Sequence, residues 1–263
     1  MLKKISVCSA SLALAMLLIA CSAPAAAPPQ ASRTEILVSA AASLTDAFQE
    51  IKAEFEKDNP GIAVVYNFGS SGTLQLQIEQ GAPSDVFASA GKAQMDALDQ
   101  KGLLLAGSRR NFAGNTAVLI VPKTGAVDIT GFADLVKPQV KNLAIGNPDG
   151  VPAGTYARQV LESAGLWAGV QGKIVMGGTV RQVLTYVEQG NAEAGIVYST
   201  DAITSDEVKV IARAPAGSSD PIVYPIAAIA RSKYPQEARA FVDFVAGPKG
   251  QAMLARYGFL PPP

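Results

Sequence analysis

The chain has 263 residues, 49% of them hydrophobic and 17% charged, enough for a sizeable core in one or two domains and too apolar for a largely disordered protein. Its 22 basic residues balance 22 acidic ones, so no electrostatic footprint for nucleic acid and no acidic tail is present. There is no histidine, which removes Ser-His-Asp and Cys-His catalysis, histidine metal sites and histidine pH sensing.

In chain order, Lys3 and Lys4 precede an apolar run from Ile5 to Ala20. The run is too short for a comfortable membrane span, and residues 1–20 read as a secretory signal. It ends Leu18-Ile19-Ala20-Cys21, which resembles the lipobox of bacterial lipoproteins, where the cysteine is acylated and becomes the first residue after cleavage. Ordinary cleavage near Ala25-Ala26-Ala27 is the alternative. Cys8 lies in the leader, so the mature chain keeps Cys21 alone and forms no internal disulfide. Residues 21–33, with Pro24, Pro28 and Pro29, form a semi-extended tether. An exported, tethered, globular domain outlines a surface receptor.

The remainder alternates strand and helix. Ile36–Val38 is a strand, and Ser43 opens a helix with an apolar stripe of Leu44, Ala47, Phe48, Ile51 and Phe55, stopped at Asn59-Pro60-Gly61. Ile62–Phe68 is a strand and Thr73–Gln80 a helix, followed by strand Asp85–Ser89 and helix Ala93–Gln100. Strands are expected at Thr116–Val121, Leu143–Ile145, Lys173–Met176, Gly195–Tyr198, Val208–Ala212 and Ile222–Ala230. Helices are expected at Thr155–Ala164, Val180–Gln189, Gln236–Ala246 and Gly250–Tyr257. This alternation predicts an α/β protein with largely parallel sheets. Thr116–Val121 and Ile222–Ala230 suit two crossings between lobes, with the middle of the chain inserted into a lobe built from both ends.

Four strand-to-helix turns share one chemistry: Ala40-Ala41-Ala42-Ser43, Gly69-Ser70-Ser71-Gly72, Val151-Pro152-Ala153-Gly154 and Gly177-Gly178-Thr179-Val180. All are small and uncharged, and each runs into a helix N-terminus, where free N–H groups and the helix dipole favour an anion. Taken singly, each is an ordinary turn, with Ser43 and Ser71 as ordinary caps. Taken together, two from each half, they leave open a shared anion site at the carboxyl ends of the strands.

The first three of these turns, with Gly81-Ala82-Pro83-Ser84-Asp85-Val86-Phe87, Gly195-Ile196-Val197-Tyr198-Ser199-Thr200-Asp201-Ala202 and Arg256-Tyr257-Gly258-Phe259, are similar to the molybdate-binding proteins of the bacterial ABC importers for molybdate, whereas Gly177-Gly178-Thr179 departs from their pattern. The similarity runs in order from Glu35 to Leu260. It implies a two-lobed type II periplasmic-binding-protein fold, each lobe a mainly parallel sheet flanked by helices. The lobes are expected at 34–116 with 226–263, and at 117–225. The resemblance further implies that the oxyanion is held by the hydroxyl and N–H of Ser43 and Ser71, the N–H of Ala153 and of Val180, and the phenol of Tyr198. Read without it, Tyr198 is a strand-end core tyrosine. No cofactor and no catalysis are implied: molybdenum enters only as the bound molybdate, with tungstate as a second ligand. The implied partners are the importer's permease and, through Cys21, the membrane of the periplasm or cell envelope, with a monomeric receptor.

That set consists of neutral donors and requires no acceptor. It suits a fully deprotonated dianion, whereas phosphate would bring a proton with nowhere to place it. Sulfate or another oxyanion is the alternative ligand. From a different class, Ser89-Ala90-Gly91-Lys92 and Lys123-Thr124-Gly125 match the S-x-x-K and K-T-G elements of serine–lysine acyl enzymes, without the S-D-N element between them. Trp167 reads as a packing residue.

Overall fold

A computed structural model describes residues 33–124 and 127–263. The leader, Cys21 and most of the tether lie outside the described residues, as does Gly125 of the K-T-G element.

The chain opens with β1 (Thr34–Ala41), α1 (Thr45–Asp58), β2 (Ile62–Gly69), α2 (Ser71–Glu79), β3 (Val86–Ala88), α3 (Lys92–Gln100) and β4 (Arg110–Gly114). It continues with β5 (Ala117–Pro122), β6 (Leu143–Gly146), α4 (Pro152–Ser163), α5 (Trp167–Val170), β7 (Ile174–Gly177), α6 (Val180–Glu188), β8 (Ala194–Tyr198), α7 (Ser199–Ala202) and β9 (Val208–Arg213). It closes with β10 (Val223–Ala228), α8 (Pro235–Ala246) and α9 (Pro248–Arg256). The strands form two sheets, ordered β2-β1-β3-β10-β4 and β7-β6-β8-β5-β9. The two orders are the same pattern repeated, so each lobe is built on one plan.

The α/β two-lobed fold forms, and its sheets are mixed. In each, four strands run in one direction and one, β10 or β5, runs against both of its neighbours. Both antiparallel strands are the first that the chain lays down after passing between lobes, so they enter their sheets from the opposite end. β5 and β10 each pair within one sheet over their whole length. The passages between the two sheets are the short link 115–116 and the stretch 214–222.

Local chemistry sets the elements. The α1 stripe of Ala47, Phe48, Ile51 and Phe55 is buried, and Asn59 ends the helix by donating both its backbone N–H and its side-chain amide to the Phe55 carbonyl, each at 2.9 Å. Phe55 and Phe241 of α8 meet edge to face at 5.2 Å, packing the C-terminal helices onto the first lobe. The second lobe's core is aliphatic, built from Val118, Leu119, Ile120, Leu143, Ile145 and Ile196. α2 and α4 begin earlier than their apolar spacing suggests, at Ser71 and at Pro152. Ser70 caps the first through its hydroxyl, and proline is preorganised for the first position of the second. Ser43 sits in a single 3-10 turn, Ala42–Leu44, that leads into α1.

Candidate functional site

A small cavity lies between the lobes. Its walls are Ala41–Ser43 after β1, Gly69–Ser71 after β2, Ala90 after β3, Val151–Ala153 at the start of α4, Thr179 and Val180 at the start of α6, and Tyr198 at the end of β8. Ser43, Ser71, Ala153, Val180 and Tyr198 are thus brought together, and among the described residues no charged side chain lines the space. Three contacts join the lobes around it. The Gly72 N–H donates to the Gly150 carbonyl at 2.9 Å, the Tyr198 hydroxyl to the Ala90 carbonyl at 3.2 Å, and Arg181 Nη2 to Asp46 Oδ2 at 2.6 Å.

The first-turn N–H groups of a helix have no helical acceptor, so each must be accounted for. In α2, Gly72 donates to Gly150 and Thr73 to the Ser70 hydroxyl, which leaves Ser71. In α4, Pro152 has no N–H, and Gly154 and Thr155 both donate to Val151, which leaves Ala153. In α6, Gln182 donates to the Thr179 hydroxyl and Val183 to the Thr179 carbonyl, which leaves Val180 and Arg181. In the turn after β1, Thr45 donates to Ala42 and Ser43 is left. Among the described residues, the N–H groups that remain therefore include those of Ser43, Ser71, Ala153 and Val180, all on the cavity wall.

The hydroxyls add polarity of the same sense. Ser71 Oγ accepts from the Ala90 N–H at 3.0 Å, which leaves its own hydrogen to donate. Ser43 Oγ lies 3.1 Å from the Tyr224 hydroxyl, behind the cavity wall. Tyr198 differs from both serines, because its hydrogen is already spent on the Ala90 carbonyl. Burial pushes the phenols of Tyr198 and Tyr224 well above their ordinary range, so both stay protonated. Asn115, Tyr224 and the Ala90 peptide escape sequence reasoning. Tyr224 lies in an apolar strand and reads as core, and its partner Ser43 is 181 positions away.

A larger groove of about 860 Å³ opens beside this cavity, lined in part by Lys92, Asp96, Thr155, Gln159 and Asp220. Its charges are of both signs, unlike the lining of the smaller cavity. Ser89 of the S-x-x-K match is fully buried and its hydroxyl donates to the Gly91 carbonyl at 2.7 Å, so it is not placed to attack a substrate.

Arg181, next to Val180, also faces Asp201 with Nε 2.7 Å from Oδ1. The Asp201 carboxylate is wholly buried, and neither oxygen finds a hydrogen bond of good geometry. Burial pushes its pKa up to about 6 against the opposing pull of Arg181. A carboxyl whose folded pKa lies above its unfolded value favours folding more as pH falls through the folded pKa, levelling off near the unfolded one, about 4. Asp201→Asn cannot titrate. The difference in Tm between wild type and Asp201→Asn should therefore move in favour of the wild type as the buffer goes from pH 7 to pH 5. A difference that stays flat over that range would contradict a buried, proton-hungry Asp201.

The family model for bacterial extracellular solute-binding proteins matches residues 36–260. The chain is 39% identical to the putative ABC transporter substrate-binding lipoprotein YvgL of Bacillus subtilis, over 98% of this chain and 99% of that protein. It is 38% identical to the molybdate-binding protein ModA of Haemophilus influenzae, over 87% of this chain and 91% of that protein. Among solved structures, the periplasmic molybdate-binding protein of Azotobacter vinelandii superposes with a TM-score of 0.78 at 31% identity, covering 87% of this chain and all of that one. The two repeated lobes, the cavity of unpaired donors between them and this likeness along nearly the whole described chain agree: the protein belongs to the bacterial extracellular solute-binding proteins, and is a binding protein and not an enzyme.

Proposed function

We propose that this protein captures molybdate, and tungstate equally, in the inter-lobe cavity and delivers it to an ABC importer. The observation that carries the reading is the convergence of unpaired N–H and hydroxyl donors on a space with no charged side chain. The ligand's charge would be met by helix N-termini and oriented dipoles alone. Ser43, Ser71, Ala153 and Val180 would each give an N–H, and the two serines would add their hydroxyls. Tyr198 would join only by turning its hydrogen from the Ala90 carbonyl to the ligand. The names of the relatives from Haemophilus influenzae and Azotobacter vinelandii support molybdate as the anion. Sulfate, also a bare dianion, is the competing ligand, and its shorter bonds would leave donors spaced for a larger anion stretched.

Ser43→Ala and Ser71→Ala each delete one hydroxyl donor and keep the backbone N–H. A hydrogen bond to a charged group contributes about 1.5–3 kcal/mol, so each variant should bind molybdate roughly ten- to hundredfold more weakly by calorimetry. Tyr198→Phe should cost less than either, because its hydroxyl must first leave a carbonyl. Wild-type affinity in both serine variants would remove these residues from the site.

We further propose that the receptor acts as a monomer held at the membrane by lipid on Cys21. The Leu18-Ile19-Ala20-Cys21 sequence supports this, as does the lipoprotein name of the Bacillus subtilis relative. Mass spectrometry of the mature protein should find an acylated Cys21. A free N-terminus near Ala27 would rule it out.

A further inference from the structure

Behind Ser43 lies a chain of buried polar groups that starts at the passage between the lobes. Asn115 occupies that passage, between β4 and β5, and is buried. Its Oδ1 accepts from the Thr116 N–H at 2.8 Å and from the Ser199 hydroxyl at 3.1 Å. A backbone N–H can only donate, so this contact fixes which end of the amide is oxygen. The other end, Nδ2, then donates to Thr200 Oγ1 at 2.9 Å and to the Tyr224 hydroxyl at 3.2 Å.

The direction of the next bond follows. Tyr224 is fully buried, and its hydroxyl has Asn115 Nδ2 on one side and Ser43 Oγ, 3.1 Å away, on the other. Asn115 already donates to it. If Ser43 donated as well, the phenol hydrogen would have to turn to the neighbouring Tyr198 hydroxyl, with which it makes no hydrogen bond of good geometry, and a buried unpaired donor is costly. Tyr224 therefore donates to Ser43, and the lone pair of Ser43 facing it is occupied from behind. The Ser43 hydrogen is left for the cavity. In a low-dielectric interior such a chain also polarises each member, which strengthens the final donor.

We propose that Asn115 and Tyr224 are positioning residues that turn the Ser43 hydrogen toward the cavity, and that they thereby help the site to prefer fully deprotonated oxyanions over protonated ones. The inference rests on the reading of the cavity as an oxyanion site. With one lone pair of Ser43 tied to Tyr224 and its hydrogen turned to the cavity, accepting a proton from hydrogen phosphate would cost the hydroxyl its donor orientation. Ser71 reaches the same state by a simpler route, since its oxygen is held by the Ala90 N–H, which no side-chain substitution alters. The Ser43 arm is the mutable one, and it begins at a residue of the inter-lobe passage.

Tyr224→Phe keeps the ring and its edge contacts with Phe112 and Phe259 and removes only the relay hydroxyl. Titrations of wild type, Tyr224→Phe, Ser43→Ala and the double variant with molybdate and with inorganic phosphate test the proposal. Tyr224→Phe should weaken molybdate roughly three- to tenfold, and should narrow the gap between molybdate and phosphate. In the Ser43→Ala background it should cost much less, because the hydroxyl that the relay orients is gone. An equal loss in both backgrounds, or an unchanged ratio of molybdate to phosphate, would reduce Tyr224 to a packing residue and overturn the proposal. A separate measurement needs no ligand. The buried Tyr224 hydroxyl proton should give an NMR cross-peak to the Ser43 β-protons and should shift in Ser43→Ala. Its failure to respond would sink the relay. A wild type that shows the cross-peak and binds no molybdate would uphold the relay and remove the proposed ligand instead.

Discussion

Gly72→Ala is expected to abolish high-affinity binding while leaving the ligand-free protein at least as stable as the wild type. Gly72 sits in the first turn of α2, and its N–H bonds to the Gly150 carbonyl of the other lobe. A Cβ there would lie 2.5 Å from the Gly150 carbonyl oxygen and 2.7 Å from its Cα. Both are backbone atoms, so no side chain can swing aside, and the lobes must part at this edge. Ser71 would then move away from Ala153 and the donors would no longer converge. Helix propensity acts in the opposite sense, since alanine is favoured over glycine by up to about 1 kcal/mol inside a helix. Stability and binding are therefore predicted to separate. Calorimetry should show affinity down by more than about a hundredfold, the loss of several charge-assisted bonds. Small-angle scattering should show no compaction on adding molybdate. Wild-type binding in Gly72→Ala would mean that this contact is incidental to closure.

Ala153→Asp should have an effect as large, for an electrostatic reason. Ala153 is buried on the cavity wall, where no charge of either sign is present. A carboxylate beside a dianion in a partly desolvated space is repelled far more strongly than it would be in water. It also competes for the same N–H groups. No molybdate binding should be detectable, with an unchanged circular dichroism spectrum. Retained binding in a folded variant would place the anion elsewhere.

Much of this arrangement is legible along the chain because it is local. Each wall of the cavity is a short run of Gly, Ser and Ala between an apolar strand and an amphipathic helix, and those runs stand out. The helix starts are less legible. Apolar spacing begins inside α2 and α4, whereas the hydroxyl of Ser70 and the ring of Pro152 set the actual first turns, so Ser71 and Ala153 are helical residues and not turn residues. The mixed character of the sheets escapes local patterning too. Whether β5 and β10 run parallel or antiparallel depends on the end from which the chain enters each lobe, and an apolar strand reads the same in both directions. Short elements such as α5 and α7 have too few turns for a period to show. The polar chain from Asn115 through Tyr224 to Ser43 joins residues far apart in sequence, each with an ordinary local explanation. Only the folded geometry assembles it.

The reading as a whole stands or falls on which anions enter the cavity. The most direct test is one calorimetric panel at neutral pH, in which the mature domain is titrated with molybdate, tungstate, sulfate and phosphate, followed by phosphate competition against bound molybdate. A cavity whose N–H and hydroxyl hydrogens face the anion predicts tight and nearly equal binding of molybdate and tungstate, much weaker sulfate, and no detectable phosphate. Displacement of molybdate by phosphate at comparable concentration would mean that the site offers an acceptor, and would contradict the account.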